Sequence, residues 1–346
     1  MIEIEFYNRE REIQEIMNIL NSRPDLIMFV YGPINSGKTE LFSHLIDRLS
    51  DDYVVFYINL RERMIRDFND FIEALFEIEV GGKKKVVIKE LITEMTRFAG
   101  IPISKDLLNL FFKEGRPKDA FRYIVNIVKE IKTKGRSPVL ILDELQKIGD
   151  VKIDDYLIYE LFNLFVRLTK ELHCCHVFAV TSDSLFIERV YSEAMLHGRC
   201  RYLLVDDFDY ETTVKFLKKY GFSDSEIKLV WEYFGGKPVY LVEAVKNKHK
   251  LKEFCDEMLR VRIRQIKDFI YGLEEKDKDL YENVLKLFKE FEDKKMIEYE
   301  RLSKEMKICV KNNVLFVDPD KSVVKPQSKL DLLAIRRILD VISMKI

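Results

Sequence analysis

Apolar positions along the chain follow two rhythms. Residues 8–21 carry Ile13, Ile16, Met17 and Leu20 at the i, i+3, i+4, i+7 spacing of an amphipathic helix. Leu26-Ile27-Met28-Phe29-Val30-Tyr31 is instead an unbroken apolar run that stops at Gly32, which reads as a strand buried on both faces. Val54-Val55-Phe56-Tyr57-Ile58, Val139-Leu140-Ile141-Leu142 and Val177-Phe178-Ala179-Val180 repeat that pattern, and Leu203-Leu204-Val205 is a fifth candidate. Helical patterns separate most of these runs, so residues 1–205 predict an α/β fold, a parallel sheet with flanking helices. Segment 61–135 is long for one crossover. Its spacing is helical at Phe121, Ile124, Val125, Val128 and Ile131, and Gly81-Gly82 and Gly100-Ile101-Pro102 interrupt it, so several short helices beside the sheet are expected. Beyond Asp206 the chain reads as helices to about residue 292. Val314-Leu315-Phe316-Val317 and Val323-Val324 then flank Asp318-Pro319-Asp320-Lys321, a hairpin signal.

Composition narrows the class. The 346 residues suit about two or three domains. Lys and Arg number 58 against 59 Asp and Glu, a formal charge of -1, which excludes binding nucleic acid by bulk charge and leaves room for a local basic face. No apolar run approaches the roughly 20 residues of a membrane helix, and Met1-Ile2-Glu3-Ile4-Glu5 does not read as a signal peptide. A soluble, cytoplasmic protein without membrane contact is expected. The five cysteines lack C-x-x-C spacing and suggest no disulfide framework. His173-Cys174-Cys175-His176 has metal-binding residue types, but alternation along a strand would turn Cys174 and Cys175 to opposite faces, so buried thiols are the simpler reading. Lys83-Lys84-Lys85 reads as a solvated turn. The wealth of Lys and Glu resembles thermophile composition without establishing it.

The chemistry starts at Gly32-Pro33-Ile34-Asn35-Ser36-Gly37-Lys38-Thr39, which matches G-x-x-x-x-G-K-[ST] at every fixed position. It follows a strand and precedes the helical stripe Leu41, Phe42, Leu45, Ile46 and Leu49. In such a loop the glycines let backbone N–H groups face phosphate oxygens, and the following helix presents its positive end to the same anion. Lys38 is expected to reach the β- and γ-phosphates and the Thr39 hydroxyl to ligate Mg²⁺, with Glu40 continuing the nucleotide-binding set.

Val139-Leu140-Ile141-Leu142-Asp143-Glu144 ends a strand in two acids, at the sheet edge where ligands bind. Asp143 is the candidate Mg²⁺ holder and Glu144 the candidate base for the water attacking the γ-phosphate. No N/T-K-x-D sequence for reading guanine is present. Thr181 and Ser182 end another strand, either as phosphate contacts or as a cap on the helix at Leu185. Arg199, before the last strand signal, is a candidate for stabilising transition-state charge, with Arg201 a weaker one. Gly235-Gly236-Lys237-Pro238 ends one helix and opens the next.

Taken in order, Phe6-Tyr7-Asn8-Arg9-Glu10, the Gly32–Thr39 loop, Leu140-Ile141-Leu142-Asp143-Glu144-Leu145-Gln146, Gly198-Arg199 and Gly235-Gly236-Lys237-Pro238 resemble the archaeal ATPase family, within the STAND branch of AAA+-like P-loop NTPases. The likeness spans nearly the whole chain. It implies that Tyr7, Asn8 and Arg9 lie against the adenine, with Asn8 standing where the family usually has Gly. It also implies that Thr181 or Ser182 senses the terminal phosphate, that Arg199 faces it, and that Pro238 belongs to a helical lid closing on nucleotide. A C-terminal winged helix is implied too. Tyr281, Val284, Leu285 and Phe288 form a helical stripe, Tyr299–Met306 reads as a second short helix, and the hairpin would be the wing. Residues 294–345 hold twelve Lys and Arg against seven Asp and Glu, a local basic excess that winged helices use on duplex DNA.

These observations divide the chain into a P-loop ATPase core (1–205), a helical lid (206–270) and a winged-helix-like unit (271–346). The leading expectation is an enzyme that binds ATP with Mg²⁺, hydrolyses it slowly to ADP and phosphate, and switches conformation as it does so. The alternative is a nucleotide-regulated DNA-binding protein with little hydrolysis; a scaffold for an unidentified protein partner is a third reading.

Overall fold

The computed structural model describes residues 4–78, 95–113, 117–148, 155–192 and 196–343. The N-terminal half runs α1 (Glu10–Leu20), β1 (Ile27–Tyr31), α2 (Lys38–Arg48), β2 (Tyr53–Asn59), α3 (Phe68–Leu75), β3 (Phe76–Ile78), β4 (Arg97–Phe98), β5 (Ile101–Ile103), α4 (Lys105–Lys113), α5 (Pro117–Thr133) and β6 (Ser137–Asp143). It continues through α6 (Asp155–Val166), β7 (His176–Thr181), α7 (Ser184–Ser192) and β8 (Cys200–Leu204). Six of these strands pair in parallel in the order β4-β2-β6-β7-β1-β8. The five apolar runs all become strands of this sheet, as continuous hydrophobicity on a doubly covered sheet requires.

Alternation along each strand sorts the core into two layers. Met28, Val30, Val139, Ile141, Phe178 and Val180 face α1 and α2, while Phe29, Phe56, Leu140, Leu142, Val177 and Ala179 face the opposite helices. Register decides what meets at the carboxyl edge. Tyr31 pairs with Thr181 and Asn59 with Asp143, so the ends of β1, β2, β6 and β7 lie side by side.

Segment 61–135 departs from the helices-only expectation. It supplies the sixth strand, β4, and a two-stranded parallel sheet of β3 and β5. These strands are two or three residues long, too short to show a periodicity. Gly81-Gly82 and Lys83-Lys84-Lys85 fall outside the described residues.

The second half is helical: α8 (Tyr210–Lys219), α9 (Asp224–Phe234), α10 (Pro238–Lys246) and α11 (Leu251–Glu274). α12 (Lys278–Lys289), β9 (Ile297–Glu298), α13 (Lys304–Lys311), β10 (Leu315–Asp318), β11 (Val323–Pro326) and α14 (Lys329–Ser343) complete the chain. β10 and β11 are the expected hairpin, and β9 adds to it in an antiparallel sheet ordered β10-β11-β9. The 24-residue α11 serves two cores: Leu251, Phe254 and Cys255 pack with α8–α10, and Ile266 and Ile270 lie in the C-terminal core, where α11 packs against α12 and α14.

The second short helix starts later than residues 299–306 suggested. Ser303 caps it by accepting from Met306 N–H, whereas Tyr299 N–H donates to Ser322 O at 3.0 Å in the sheet and its hydroxyl to Glu188 at 2.9 Å. One helix, α13, lies between β9 and β10. The hairpin does not project into solvent either. Phe316 is fully buried in the core of the six-stranded sheet and stacks on Tyr31 with centroids 6.4 Å apart, and the Tyr31 hydroxyl donates to buried Asp318 at 2.9 Å. All five cysteines are free thiols, with Cys174 and Cys175 buried. Among the described residues no helix is long and apolar enough to cross a membrane.

Because Phe316 joins the two halves in one core, Phe316→Ala should lower the unfolding free energy by about 3–5 kcal/mol. Urea denaturation followed by circular dichroism measures this. A loss below about 1 kcal/mol would mean that the hairpin is only loosely seated.

Candidate functional site

The phosphate loop closes the carboxyl end of β1. Gly32 is pressed against the start of the lid segment: a Cβ there would meet Val205 O at 2.1 Å, so this glycine serves chain packing. Gly37 caps α2 at φ 92, a left-handed conformation that turns the loop into the helix. Asn35 also has positive φ, at 59. Pro33 and Ser36 are buried, while Thr39 and Glu40 lie exposed on the first turn of α2.

Lys38 is 6% exposed, and its ammonium group donates to Gly32 O at 3.0 Å and Pro33 O at 2.9 Å. Burial, with nearby Lys237 second, pulls its pKa down to about 7. A cation so poorly stabilised, at the start of a helix, favours an anion in the loop.

Beside it, the Thr39 hydroxyl donates to Asp143 Oδ2 at 2.8 Å, and the Tyr57 hydroxyl donates to the same oxygen at 2.7 Å. Thr39 and Asp143 therefore form a small set of hard oxygen donors, which fits Mg²⁺ bound through few protein ligands plus phosphate. No cluster of three or more His, Cys, Asp or Glu suited to a metal occurs among the described residues.

Glu144 follows at φ 60 and is 7% exposed. Its Oε1 accepts from Arg61 at 2.6 Å and its Oε2 from Gln146 at 2.5 Å. The Gln146 amide reaches on to Thr181 (2.7 Å) and Ser182 (3.1 Å). The structure thus brings Lys38, Thr39, Asp143, Glu144, Thr181 and Ser182 to one sheet edge.

The N-terminal motif lies at the joint between the sheet core and the helical region that follows it. Asn8 and Arg9 take φ 60 and 84, and Asn8 Nδ2 donates to Thr212 at 3.2 Å. Tyr7 packs edge-on to Phe216 at 5.3 Å. Arg9 donates to Ser36 O and Asp206 O, each at 2.7 Å, and to Glu12 at 3.1 Å, with its guanidinium 4.6 Å above the Phe208 ring. Its guanidinium ties the loop to the start of the helical region. Burial lowers its pKa, Glu12 opposing.

Arg199 is not brought to the loop. Its carbonyl accepts from Ile27 N–H at 3.0 Å, so it precedes β8 at the amino edge of the sheet. Five strand residues separate the two edges, roughly 17 Å. Arg201 lies on the same side, 3.9 Å from Asp25.

The helical region after residue 205 contributes a residue that the motif reading passed over. Pro238 opens α10, but the preceding Lys237, with a side chain 3% exposed, donates to Ile34 O in the loop at 3.1 Å and lies 2.9 Å from Asp207 Oδ1. That carboxylate oxygen has an ion pair without an aligned donor, and burial raises its pKa despite Lys237. Gly236 permits the approach, since a Cβ there would collide with Phe208 O at 1.7 Å. From the C-terminal sheet, Gln327 Oε1 accepts from Ile34 N–H at 3.1 Å while its Nε2 donates to Leu315 O at 3.0 Å. Lys325 pairs with Asp206 at 2.5 Å.

Comparison with known proteins agrees with this geometry. Residues 6–244 match the ATPase domain family found predominantly in Archaea, and residues 252–339 match the C-terminal domain of the MJ1010-like uncharacterized ATP-binding proteins. The uncharacterized ATP-binding protein MJ1659 of Methanocaldococcus jannaschii is 52% identical, covering 97% of this chain and 98% of its own length. PYRAB09480 of Pyrococcus abyssi, of the same description, is 52% identical over 97% of this chain and 99% of its own. The Walker-type ATPase paby2304 of Pyrococcus abyssi shares the fold at TM-score 0.65 and 15% identity, over 96% of both chains. The ORC2 protein of Aeropyrum pernix does so at TM-score 0.50 and 12% identity, over 99% of this chain and 97% of that one. With a matching phosphate loop, a neighbouring carboxylate pair and relatives alike over their full length, the chain belongs to the archaeal ATPase domain family and is an ATP-binding P-loop protein with an AAA+-like fold.

Proposed function

We propose that the protein hydrolyses ATP with Mg²⁺ and uses the nucleotide to move its lid and C-terminal unit, as a switch of the STAND type. The observation that carries this reading is the Ile34 peptide group. Its N–H is held by Gln327 of the C-terminal unit and its C=O by Lys237 of the lid. A terminal phosphate that claims this N–H competes directly with Gln327, so nucleotide state and unit position become one equilibrium.

In the reaction, Lys38 exchanges the Gly32 and Pro33 carbonyls for phosphate oxygens, and Lys237 adds a second positive charge from the lid. Glu144 accepts a proton from the attacking water, and Thr181 or Ser182 contacts the terminal phosphate. Mg²⁺, when bound, supplies charge neutralisation at the β- and γ-phosphate oxygens, and Thr39 and Asp143 are the residues that would hold it. Tyr7, Asn8 and Arg9 form the core–lid joint against which the adenine would lie. Arg199 has no place in this scheme.

The units of the switch are the core to residue 205, the lid from 206 to 270, and a winged-helix-like unit from 271 onward. The three-stranded sheet with α12, α13 and α14 supports that last description. The DNA-binding alternative draws on exposed Lys304, Lys307 and Lys311 of α13. It has less support, because Lys325 is committed to Asp206 and the hairpin is packed on the core.

Lys38→Ala should abolish ATP binding, and Glu144→Gln should bind ATP normally while hydrolysing it on the order of 10²-fold more slowly or worse. Single-turnover hydrolysis decides both, and wild-type turnover in Glu144→Gln would remove that residue from the mechanism. Protonation gives a second check. A Lys38 pKa near 7 leaves the amine mostly neutral at a pH of about 8.5, and phosphate raises its pKa, so ATP binding should take up protons there. Below about pH 6 the amine is already charged and this uptake disappears. Calorimetry in buffers of different ionisation enthalpy reads the sign; no uptake at the higher pH would mean that Lys38 is charged before ATP arrives. Finally, Gln327→Met removes the competitor for Ile34 N–H and should tighten ATP binding by up to about tenfold. Unchanged or weaker binding would count against the competition.

A further inference from the structure

Gln146 lies in the sequence block that ends β6, and the reaction as described leaves it without a role. It occupies the 3-10 turn Leu145–Ile148, two residues beyond Glu144. Every polar atom of its amide is engaged. Oε1 accepts from the Thr181 hydroxyl at 2.7 Å, while Nε2 donates to Glu144 Oε2 at 2.5 Å and to Ser182 Oγ at 3.1 Å.

The orientation of the amide follows from its neighbours. Thr181 Oγ1 accepts from Asp183 N–H at 3.1 Å, which leaves its own proton for Gln146 Oε1. The amide nitrogen must then face Glu144, and the flipped amide would set a carbonyl oxygen against a carboxylate. A glutamine therefore spans from the tip of β7 to the carboxylate at the tip of β6. The other oxygen of that carboxylate is held by Arg61, whose side chain is 60% exposed. Arg61 has only a solvent-facing arm to fix it, whereas Gln146 is anchored at both ends.

We propose that Gln146 is a positioning residue for ATP hydrolysis. It orients Glu144 from Thr181 and Ser182, so the base is aligned by the same strand tip that meets the terminal phosphate. The inference rests on Glu144 being the base and on the β7 tip meeting that phosphate. Gln146 acts through Glu144, and its amide bonds go to Glu144, Thr181 and Ser182 rather than to the phosphate loop, so its contribution belongs in kcat and not in ATP affinity.

The experiment compares wild type, Gln146→Leu, Gln146→Glu, Glu144→Gln and the Glu144→Gln/Gln146→Leu double variant. ATP dissociation constants and single-turnover hydrolysis rates are measured for each, with thermal unfolding to confirm the fold. Gln146→Leu should lower the hydrolysis rate about 10- to 100-fold, a part of what a general base contributes, with ATP affinity changed less than about threefold. Gln146→Glu keeps the shape and the acceptor for Thr181 but replaces the donor facing Glu144 by an acceptor, so it should lose at least as much. In the double variant the Gln146 change should cost nothing beyond Glu144→Gln alone, because the two act as one unit.

A wild-type rate in Gln146→Leu or in Gln146→Glu overturns the proposal. So does a further multiplicative loss in the double variant, which would make Gln146 an independent structural support, and so does an affinity loss matching the rate loss. Should Glu144→Gln itself hydrolyse ATP at the wild-type rate, the reading of Glu144 as base fails first and the Gln146 inference falls with it. The single-variant rates tell these failures apart.

Discussion

Parallel pairing sets Tyr31 beside Thr181 and Asn59 beside Asp143, and this register is the constraint on which the site depends. A strand slipped by one residue would turn its buried set to the wrong face and move its terminal residue away from the shared edge. The layers that hold the register are apolar on both sides of the sheet. The polar chemistry is confined to the strand tips, where the core ends and the loop begins. Thr39, Asp143, Glu144, Thr181 and Gln146 can form one connected hydrogen-bond network only because their strands stop together.

The same edge gathers buried charges. Arg9, Lys38 and Lys237 are all less than a tenth exposed, as are Asp143 and Glu144. Buried ions are tolerated when hydrogen bonds and opposite charges meet them. Arg9 achieves this with two carbonyls and Glu12. The partly exposed Asp206 pairs with Lys325, which together with the Asp207 backbone outweighs burial and lowers the Asp206 pKa. Lys38 is the least satisfied of the cations, with carbonyls at close range and no carboxylate bonded to it. An incoming polyanion at the phosphate site therefore improves the electrostatics around Lys38, and both outer units reach this loop through the backbone of Ile34.

Much of the core was legible because long apolar runs admit few alternatives. The strands, the loop after β1 and the acids after β6 are continuous local signals, and local signals survive folding. The β3, β4 and β5 pieces were not legible, since two or three residues carry no period. Tyr299 and its neighbours read as helix because their spacing allows it, while the Ser303 cap and the bond from Tyr299 N–H to Ser322 O decide otherwise. Arg199 carried a usable warning: in a parallel sheet a residue just before a strand lies at the edge opposite to residues just after one. Lys237 was visible inside its Gly-Gly-Lys-Pro motif, but reading the motif as a helix boundary hid the side chain. Tyr57, Arg61 and Gln327 have no local signature for their roles, and Gln146 stands in the block after β6 with nothing local to show that it reaches Thr181 and Ser182. Their partners are brought in by tertiary contacts, across 293 residues in the case of Gln327 and Ile34.

The long α11 gives these contacts a mechanical reach. Its first turns are embedded among α8–α10 and its last turns against α12 and α14, 24 residues of unbroken helix in all, about 36 Å of rod. A helix packed at both ends transmits rotation and does not absorb it. A lid tilt of about 10° would therefore sweep the far end of the rod through about 6 Å, more than the length of the hydrogen bonds that seat Asp318 and Gln327. If the lid and C-terminal unit move with nucleotide as proposed, the rod would act as a lever arm, turning a displacement of the Lys237 amine at Ile34 into the unseating of the C-terminal sheet.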